Sequence, residues 1–301
     1  MRVVHPSGGG GGGGVAGTAA GGAAAGGSAG TLGGAGTAGL GGAGGTGGSK
    51  GDGGSSGSGV AGASGSGGSG GSGGHPTTLR LMALGDGITA TTCYRAKLWQ
   101  KFADNGRPEF DFVGSRNAGD ACNVSASYDK DNEGHGGYQV TDVLKATSTG
   151  RPSSADPQDP YDASAKDLST WFDGHPIDIL LLHLGSNDIL KLNAPAESIL
   201  NAYTAIVARA RISSPKVAVF VAQLLPMKVD SCSTCNTQIQ ALNQAIPGWA
   251  TMTDTPASRV RVVNQYAGFD VANTLDGIRP DETGSQQMAD KWYEAIVAAF
   301  P

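Results

Sequence analysis

The chain has 301 residues, of which 51 are glycine, and a formal net charge of -5 at pH 7. This acidic balance argues against a nucleic-acid partner, because phosphate backbones bind basic surfaces. A membrane-spanning segment is not expected either, because the sequence has no apolar run of about 18 residues.

The glycines are concentrated in residues 1–74, which hold 36 of them together with Ala, Ser and Thr. Leu32 and Leu40 stand alone there, so the segment has too little apolar area to offset its ordering entropy. We therefore expect a disordered linker over residues 1–74 and one folded domain over residues 75–301. Met1–Ser7 shows no signal peptide pattern. The linker either tethers the domain to another module or acts only as a spacer.

Short apolar runs alternate with helical patterns through the folded part. Strands are predicted at Leu79–Leu84, Phe110–Val113, Ile179–Leu184, Val217–Leu225 and Val260–Val263. Helices are predicted around Tyr94–Phe102, Ile199–Val207, Ile239–Ile246 and Met288–Phe300. This alternation predicts an α/β domain in which helices cover both faces of a parallel five-stranded sheet. Ligands of such sheets bind at the carboxyl ends of the strands.

Four cysteines are present, at positions 93, 122, 232 and 235. An even number behind a Gly/Ser-rich spacer favours two disulfides and an oxidising compartment. Cys232 and Cys235 can close a small loop, which would leave Cys93 to pair with Cys122. The C-x-x-C spacing is also half of a zinc site, but no second half is present, so no metal is expected.

Four short blocks follow the predicted strands or precede the last helix: Gly85–Thr89, Glu133–Tyr138, Gly185–Asp188 and Asp276–Pro280. In this order and spacing they resemble the SGNH (GDSL-type) hydrolases. Within them the chain is most similar to carbohydrate esterase family three, the acetylxylan esterases. Further matching stretches are Tyr94-Arg95…Leu98-Trp99, Phe112–Ser115 and Leu181–Gly185. The resemblance implies a flavodoxin-like, three-layer α/β/α fold over residues 78–300.

The resemblance also implies ester hydrolysis by a serine nucleophile, a histidine base and an orienting aspartate, without a cofactor. Asn187 and Gly137, or alternatively Gly136, match the groups that hold the oxyanion. Asp276 matches the acid that orients the base. Two acids match those that brace the loops, namely Asp86 and Asp188.

Two positions depart from this pattern, and both carry the chemistry. Gly87 occupies the nucleophile position, and without a side chain it offers only its backbone N–H. Arg279 occupies the base position, where a permanently protonated guanidinium cannot accept a proton. We therefore expect a catalytically inactive or severely impaired esterase domain.

Two other residues are candidates to replace the missing groups. Thr89 is close enough in sequence to replace the nucleophile, but we expect it to face away from the site. His135 lies in the second block and would serve as a base for direct attack by water. His183 is predicted to be a buried histidine with its hydrogen bonds satisfied, and His75 and His175 to lie in loops or on the surface.

Three functions follow from these residues. In the first, the retained donors and Arg279 form a pocket for a small anion such as acetate, a uronate or sulfate; alternatively, Arg279 pairs with Asp276 and fills this pocket. In the second, the chain deacetylates a polysaccharide by a non-standard base or nucleophile. In the third, it is a binding module on a tether. We expect a monomer, in an extracellular or cell-envelope location.

Overall fold

The computed structural model describes residues 78–107, 109–119, 122–124, 127–140, 143 and 168–301. The predicted linker over residues 1–74, the predicted domain start at residue 75 and His75 all lie outside the described residues. No helix in the described ranges is long and apolar enough to cross a membrane.

The described residues form one seven-stranded sheet. Its strands are β1 (Leu79–Gly85), β2 (Phe110–Val113), β3 (Arg116–Asn117), β4 (Asp131–Gly134), β5 (Ile179–His183), β6 (Ala218–Gln223) and β7 (Val260–Asn264). On one side β1 pairs with β5, and on the other with β2 and then β4, all in parallel. β6 and β7 continue the parallel sheet beyond β5, and β3 pairs antiparallel with β4.

Seven α-helices are described. They are α1 (Gly87–Thr91), α2 (Tyr94–Asp104), α3 (Leu168–Gly174), α4 (Ser186–Leu192), α5 (Ala196–Ser213), α6 (Cys235–Thr253) and α7 (Glu282–Ala299). A short 3-10 turn at Val271–Asn273 lies between β7 and α7. The predicted α/β class and the five predicted parallel strands are confirmed.

The core has two parts because successive side chains of a strand point to opposite faces of the sheet. On β5, Leu180 and Leu182 pack with side chains of α3, α5 and α6. Ile179 and Leu181 pack on the opposite face with α2 and α7, whose Trp292 is fully buried. Helices on both faces explain why the central strands are uniformly apolar.

Both predicted cysteine pairs form disulfides, Cys93–Cys122 and Cys232–Cys235, each with a Cα–Cα distance of 5.5 Å. The first ties the start of α2 to the segment before β4. The second closes the turn in front of α6. Among the described residues no cluster of His, Cys, Asp or Glu could hold a metal ion.

The sheet is larger than predicted, because the sequence pattern missed β3 and β4. These strands carry polar residues and are held by side-chain hydrogen bonds rather than by apolar alternation. The buried Asn132 of β4 donates to the carbonyls of Ala118 and Lys130, at 3.0 and 2.9 Å. The short helices α1, α3 and α4 were also missed.

Candidate active site

A cleft of about 420 Å³ opens at the carboxyl ends of β1 and β5. It is lined by Asp86, Gly87, Ile88, Thr91, Gly136, Gly137, Ser186, Asn187, Leu190, Lys191, Asp276, Ile278 and Arg279. The structure thus brings together every predicted site residue except Asp188. This is the position in which parallel α/β sheets bind ligands.

The predicted nucleophile position lies at the start of α1. Asp86 caps this helix, its Oδ1 accepting from the Ile88 N–H at 2.9 Å. Gly87 is the first helical residue, so its N–H has no acceptor within the helix. A Cβ added at Gly87 would have the Gly136 Cα at 3.8 Å as its nearest neighbour, an ordinary contact distance. The backbone therefore has room for a serine at this position, although the chain has none.

The predicted oxyanion donors face this position from two other elements. Gly136 and Gly137 form a turn after β4, and Gly137 has a φ of +78° that favours glycine. Asn187 lies in the first turn of α4. Its Nδ2 donates to the Tyr138 carbonyl at 3.0 Å and, more weakly, to Asp86 Oδ2 at 3.4 Å.

The fourth block forms a tight loop between the 3-10 turn and α7. Thr274 and Pro280 form an antiparallel bridge at its base. Within the loop, Asp276 Oδ1 accepts from the backbone N–H groups of Ile278 and Arg279, at 3.1 and 2.7 Å. Asp276 Oδ2 accepts from Arg279 Nε at 2.8 Å. The loop thus pairs Asp276, the predicted orienting acid, with the cation of Arg279.

The same hydrogen bonds determine whether the Asp276 carboxyl group is ionised. Partial burial acts to raise the pKa of Asp276, but the hydrogen bonds from Arg279 and Ile278 outweigh it and hold the pKa below its ordinary value. The carboxylate is therefore ionised at neutral pH. The Arg279 side chain remains 46% exposed, and only its Nε bonds to a described residue.

The pKa of Asp86 is shifted in the opposite direction, above its ordinary value. Burial raises its pKa to about 7, and the nearby Asp188 carboxylate adds to the shift. Hydrogen bonding from Ile88 opposes this effect only in part. Near pH 6 the carboxyl group is therefore mostly protonated, so it contributes little negative charge to the cleft.

Asp188 does not line the cleft. Its side chain is buried, and Oδ2 accepts from the Val140 N–H at 2.8 Å. This bond ties α4, which carries Asn187, to the segment that follows the Gly136–Gly137 turn. The bracing role of Asp188 stays a prediction.

The substitute residues lie outside the cleft lining. Thr89 is buried, and its hydroxyl bonds to the Tyr94 hydroxyl at 3.0 Å. The Nε2 atom of His135 lies 2.6 Å from Glu133 Oε1, and its ring stacks on Tyr138 and Trp171. Both side chains are committed to structural contacts. The geometry does not support Thr89 as a nucleophile or His135 as a base.

The structure contradicts one of the predictions about the remaining histidines. His183, at the end of β5, is fully buried as predicted, but neither ring nitrogen has a hydrogen-bond partner among the described residues. The prediction that its hydrogen bonds are satisfied is therefore wrong. Burial lowers its pKa to about 4, so the ring is neutral. His175 is half-buried just after α3 and contacts the Trp171 carbonyl.

Sequence reasoning missed a second cation in the cleft. Lys191 lies on α4, one helical turn after Asn187, and its Nζ donates to the Gly137 carbonyl at 3.2 Å. Its charge lowers the pKa of Asp86, against the larger effect of burial. The four-residue spacing from Asn187 was the available signal, but it has meaning only once α4 is recognised. Ser186 and Thr91 add hydroxyl groups to the lining.

Comparison with known proteins agrees with this architecture. The sequence profile of the GDSL-like Lipase/Acylhydrolase family matches residues 83–292. A carbohydrate esterase family 3 structure from Talaromyces cellulolyticus is 29% identical with a TM-score of 0.62, the match covering 73% of this chain and 97% of that chain. An acetyl esterase mutant, a serine-to-alanine substitution solved with an acetate ion, gives the same four values.

A family 3 carbohydrate esterase from Clostridium thermocellum is similar in fold, at 24% identity and a TM-score of 0.56, with coverage of 74% of this chain and 99% of that chain. No curated protein matches the chain. The resemblance drawn from the four blocks is confirmed by the family match and by these structures. Because the matched region spans well over half of its residues, the chain belongs to the GDSL-like lipase/acylhydrolase family.

Proposed function

We propose that the cleft is an esterase site that has lost acyl transfer and binds a small carboxylate or similar anion instead. The observation that carries this proposal is the composition of the cleft. It keeps hydrogen-bond donors at the oxyanion positions and holds two cations, while neither Gly87 nor Arg279 supplies a proton acceptor.

The chemistry follows from these two residues. Without a hydroxyl, Gly87 cannot form an acyl-enzyme, and Arg279 stays protonated at physiological pH. Removing members of a serine–histidine–aspartate triad costs several orders of magnitude, and the losses do not add. The expected residual rate enhancement is about 10³ over water, from binding and the oxyanion donors alone.

The same groups suit an anion. The cleft is lined by Gly87, by the turn at Gly136–Gly137 and by Asn187, and the Gly136 Cα lies 3.8 Å from the place of a Cβ at position 87. The weaker Asn187 contact, at 3.4 Å to Asp86, leaves one amide hydrogen for which a ligand oxygen can compete. Charge-assisted hydrogen bonds to a guanidinium are among the stronger polar contacts. An acetate or uronate carboxylate fits this donor set.

The competing interpretation is that Arg279 only neutralises Asp276. The Nε–Oδ2 contact of 2.8 Å is a genuine ion pair. However, that pair uses one edge of the guanidinium, and the side chain is half-exposed in the cleft. The pair therefore orients the guanidinium without consuming all of its donors. Anion binding separates the two interpretations.

The comparisons bear on the ligand. The similar structures include carbohydrate esterases, and one is an acetyl esterase mutant solved with an acetate ion. We infer that this chain meets acetylated polysaccharide, acetate released from it, or an acidic sugar. The two disulfides support a location in an oxidising compartment outside the cytoplasm.

The test is titration of sodium acetate, glucuronate and sulfate, each in separate calorimetric and thermal-shift experiments, into the full chain. We expect heat and a raised melting temperature with at least one anion, and loss of both in Arg279→Ala. The matched control is Arg259→Ala, because Arg259 is likewise exposed and paired with a nearby acid, Asp254. The proposal would be refuted if none of the three anions gave heat or a raised melting temperature. It would also be refuted if Arg279→Ala bound the anions as well as the native chain does.

A further inference from the structure

A second depression, of about 290 Å³, opens at the carboxyl ends of β6 and β7. Its lining consists of five carboxamides and one phenol, from Gln223, Gln240, Asn243, Gln244, Asn264 and Tyr266. None of these side chains carries a charge at neutral pH. This depression shares no lining residue with the cleft described above.

The fold builds this lining from three elements. Gln223 and Asn264 are the last residues of β6 and β7 and lie opposite each other in the parallel register. Gln240 and Gln244 lie one turn apart on α6, so they project from the same side of that helix. Tyr266 follows β7 by two residues. The carboxamides therefore converge from two strands and a helix.

The floor of the depression is rigid. Asn243 is buried, and its amide bonds to the backbone of Leu224 twice, accepting from N–H at 2.7 Å and donating to the carbonyl at 2.9 Å. Gln223 Nε2 donates to the Asn243 carbonyl at 2.6 Å. These bonds fix the carboxamides of Gln223 and Asn243 before any ligand arrives.

The rim keeps donors and acceptors that the protein does not use. Gln244 is exposed, and its side chain makes no hydrogen bond to any described residue. Asn264 uses only Oδ1, which accepts from the Ala267 N–H at 2.8 Å. Gln240 uses only Nε2, which contacts the Tyr266 hydroxyl at 3.0 Å. Within the described part of the chain, several amide N–H and C=O groups of the lining residues thus have no hydrogen-bond partner.

We propose that this depression binds a neutral sugar residue. A carboxamide offers donors and an acceptor side by side, which matches the paired donor and acceptor character of adjacent sugar hydroxyls. The lining has no cation for an acidic group and no carboxylate for a metal ion or an amine. The Tyr266 ring adds an apolar surface, and the volume lies at the small end of ligand sites.

The site goes beyond the proposed anion binding and does not depend on it. Both depressions lie at the carboxyl edge of the same sheet. A protein of this family that meets polysaccharide through one depression gains a second contact with the neutral part of the chain through the other.

The test is titration of xylotetraose into isotope-labelled full chain, followed by amide chemical shifts. We expect shifts at Gln244, Asn264 and their neighbours. The double variant Gln244→Ala/Asn264→Asp should weaken binding about tenfold, as expected for two lost hydrogen bonds. Aspartate retains the oxygen that accepts from the Ala267 N–H. Asn201→Ala is the matched control, because Asn201 is an exposed carboxamide on the neighbouring helix α5.

The outcomes separate this site from the anion site. Xylotetraose binding that survives Arg279→Ala supports the sugar site even if acetate never binds. Absence of binding at millimolar xylotetraose would overturn the proposal. Binding that the double variant leaves intact, or that responds only to Arg279→Ala, would place the sugar in the main cleft and overturn it equally. Unchanged melting temperatures of the variants confirm that they fold.

Discussion

The double substitution Gly87→Ser/Arg279→His should turn this chain into an esterase. The local geometry accepts both changes. The added Cβ at position 87 meets no atom closer than 3.8 Å, and the φ there is not in the left-handed region. At position 279 the side chain is half-exposed and already bonds to Asp276, which is held ionised by its hydrogen bonds. An imidazole there would have an orienting carboxylate within reach.

The expected gain follows from the cost of losing triad members. In well-studied serine hydrolases that cost reaches roughly 10⁴ to 10⁶ in rate, and one missing member costs nearly as much as several. Each single substitution should therefore stay near the background of the native chain. The double variant should raise kcat/KM by about 10³ or more, equivalent to about 4 kcal/mol of transition-state stabilisation.

The assay is hydrolysis of 4-nitrophenyl acetate and of acetylated xylan by the native chain, both single variants and the double variant. Gly87→Ala/Arg279→His is the matched control, because it has the new base and a Cβ but no hydroxyl. Equal activity of this control and the double variant would refute the nucleophile assignment. A native chain already as active as the double variant would refute the claim that both positions are disabling.

Three further predictions concern stability. Because the pKa of Asp86 is raised to about 7 from 3.8, the folded chain retains a proton there that the unfolded chain releases. Its contribution should be greatest below pH 4 and fall by on the order of 4 kcal/mol as pH rises to 7. Urea unfolding across this range should show a flatter profile for Asp86→Asn, and an unchanged profile would contradict the raised pKa. The double substitution Cys93→Ser/Cys122→Ser should lower the free energy of unfolding by about 3 kcal/mol, because the disulfide spans 29 residues. Thermal denaturation measures this loss. A loss below about 1 kcal/mol would contradict the prediction. Gly277→Ala should destabilise by roughly 2 kcal/mol or more, since φ is +82° and the new Cβ would lie 1.9 Å from a backbone oxygen. Gly268→Ala is its control, with a similar φ of +71° but open space, and equal losses would show that the close contact does not matter.

The parts of the fold that the sequence predicted are those that bury apolar runs. Ile179–His183 and Ala218–Gln223 are covered on both faces, so their uninterrupted apolar residues revealed them. The missed elements are stabilised differently. The α1 helix has five residues and depends on the Asp86 cap, and β4 depends on the Asn132 amide. Such bonds join residues whose proximity exists only in the folded chain.

In the candidate site, too, some residues could be predicted from the sequence and others could not. The four blocks identified Gly87, Asn187, Asp276 and Arg279, and the fold brings all four to one cleft. Nothing in those blocks pointed to Lys191, because its place in the cleft depends on the helical path of α4 and on its contact with the Gly137 carbonyl. Composition and periodicity describe single segments of the chain. The charge of a cleft depends on which side chains the fold brings together from different segments.

That charge decides what the cleft can attract. Arg279 and Lys191 contribute two positive charges, and ionised Asp276 removes one. Asp86 is mostly neutral below pH 7, because burial disfavours its charged form. The side chains that line the cleft therefore sum to a positive charge under mildly acidic conditions, and this charge is lost as Asp86 ionises. An arginine at position 279 carries one full charge more than a neutral histidine would, so under the proposed function the residue that cannot accept a proton also favours binding of a carboxylate.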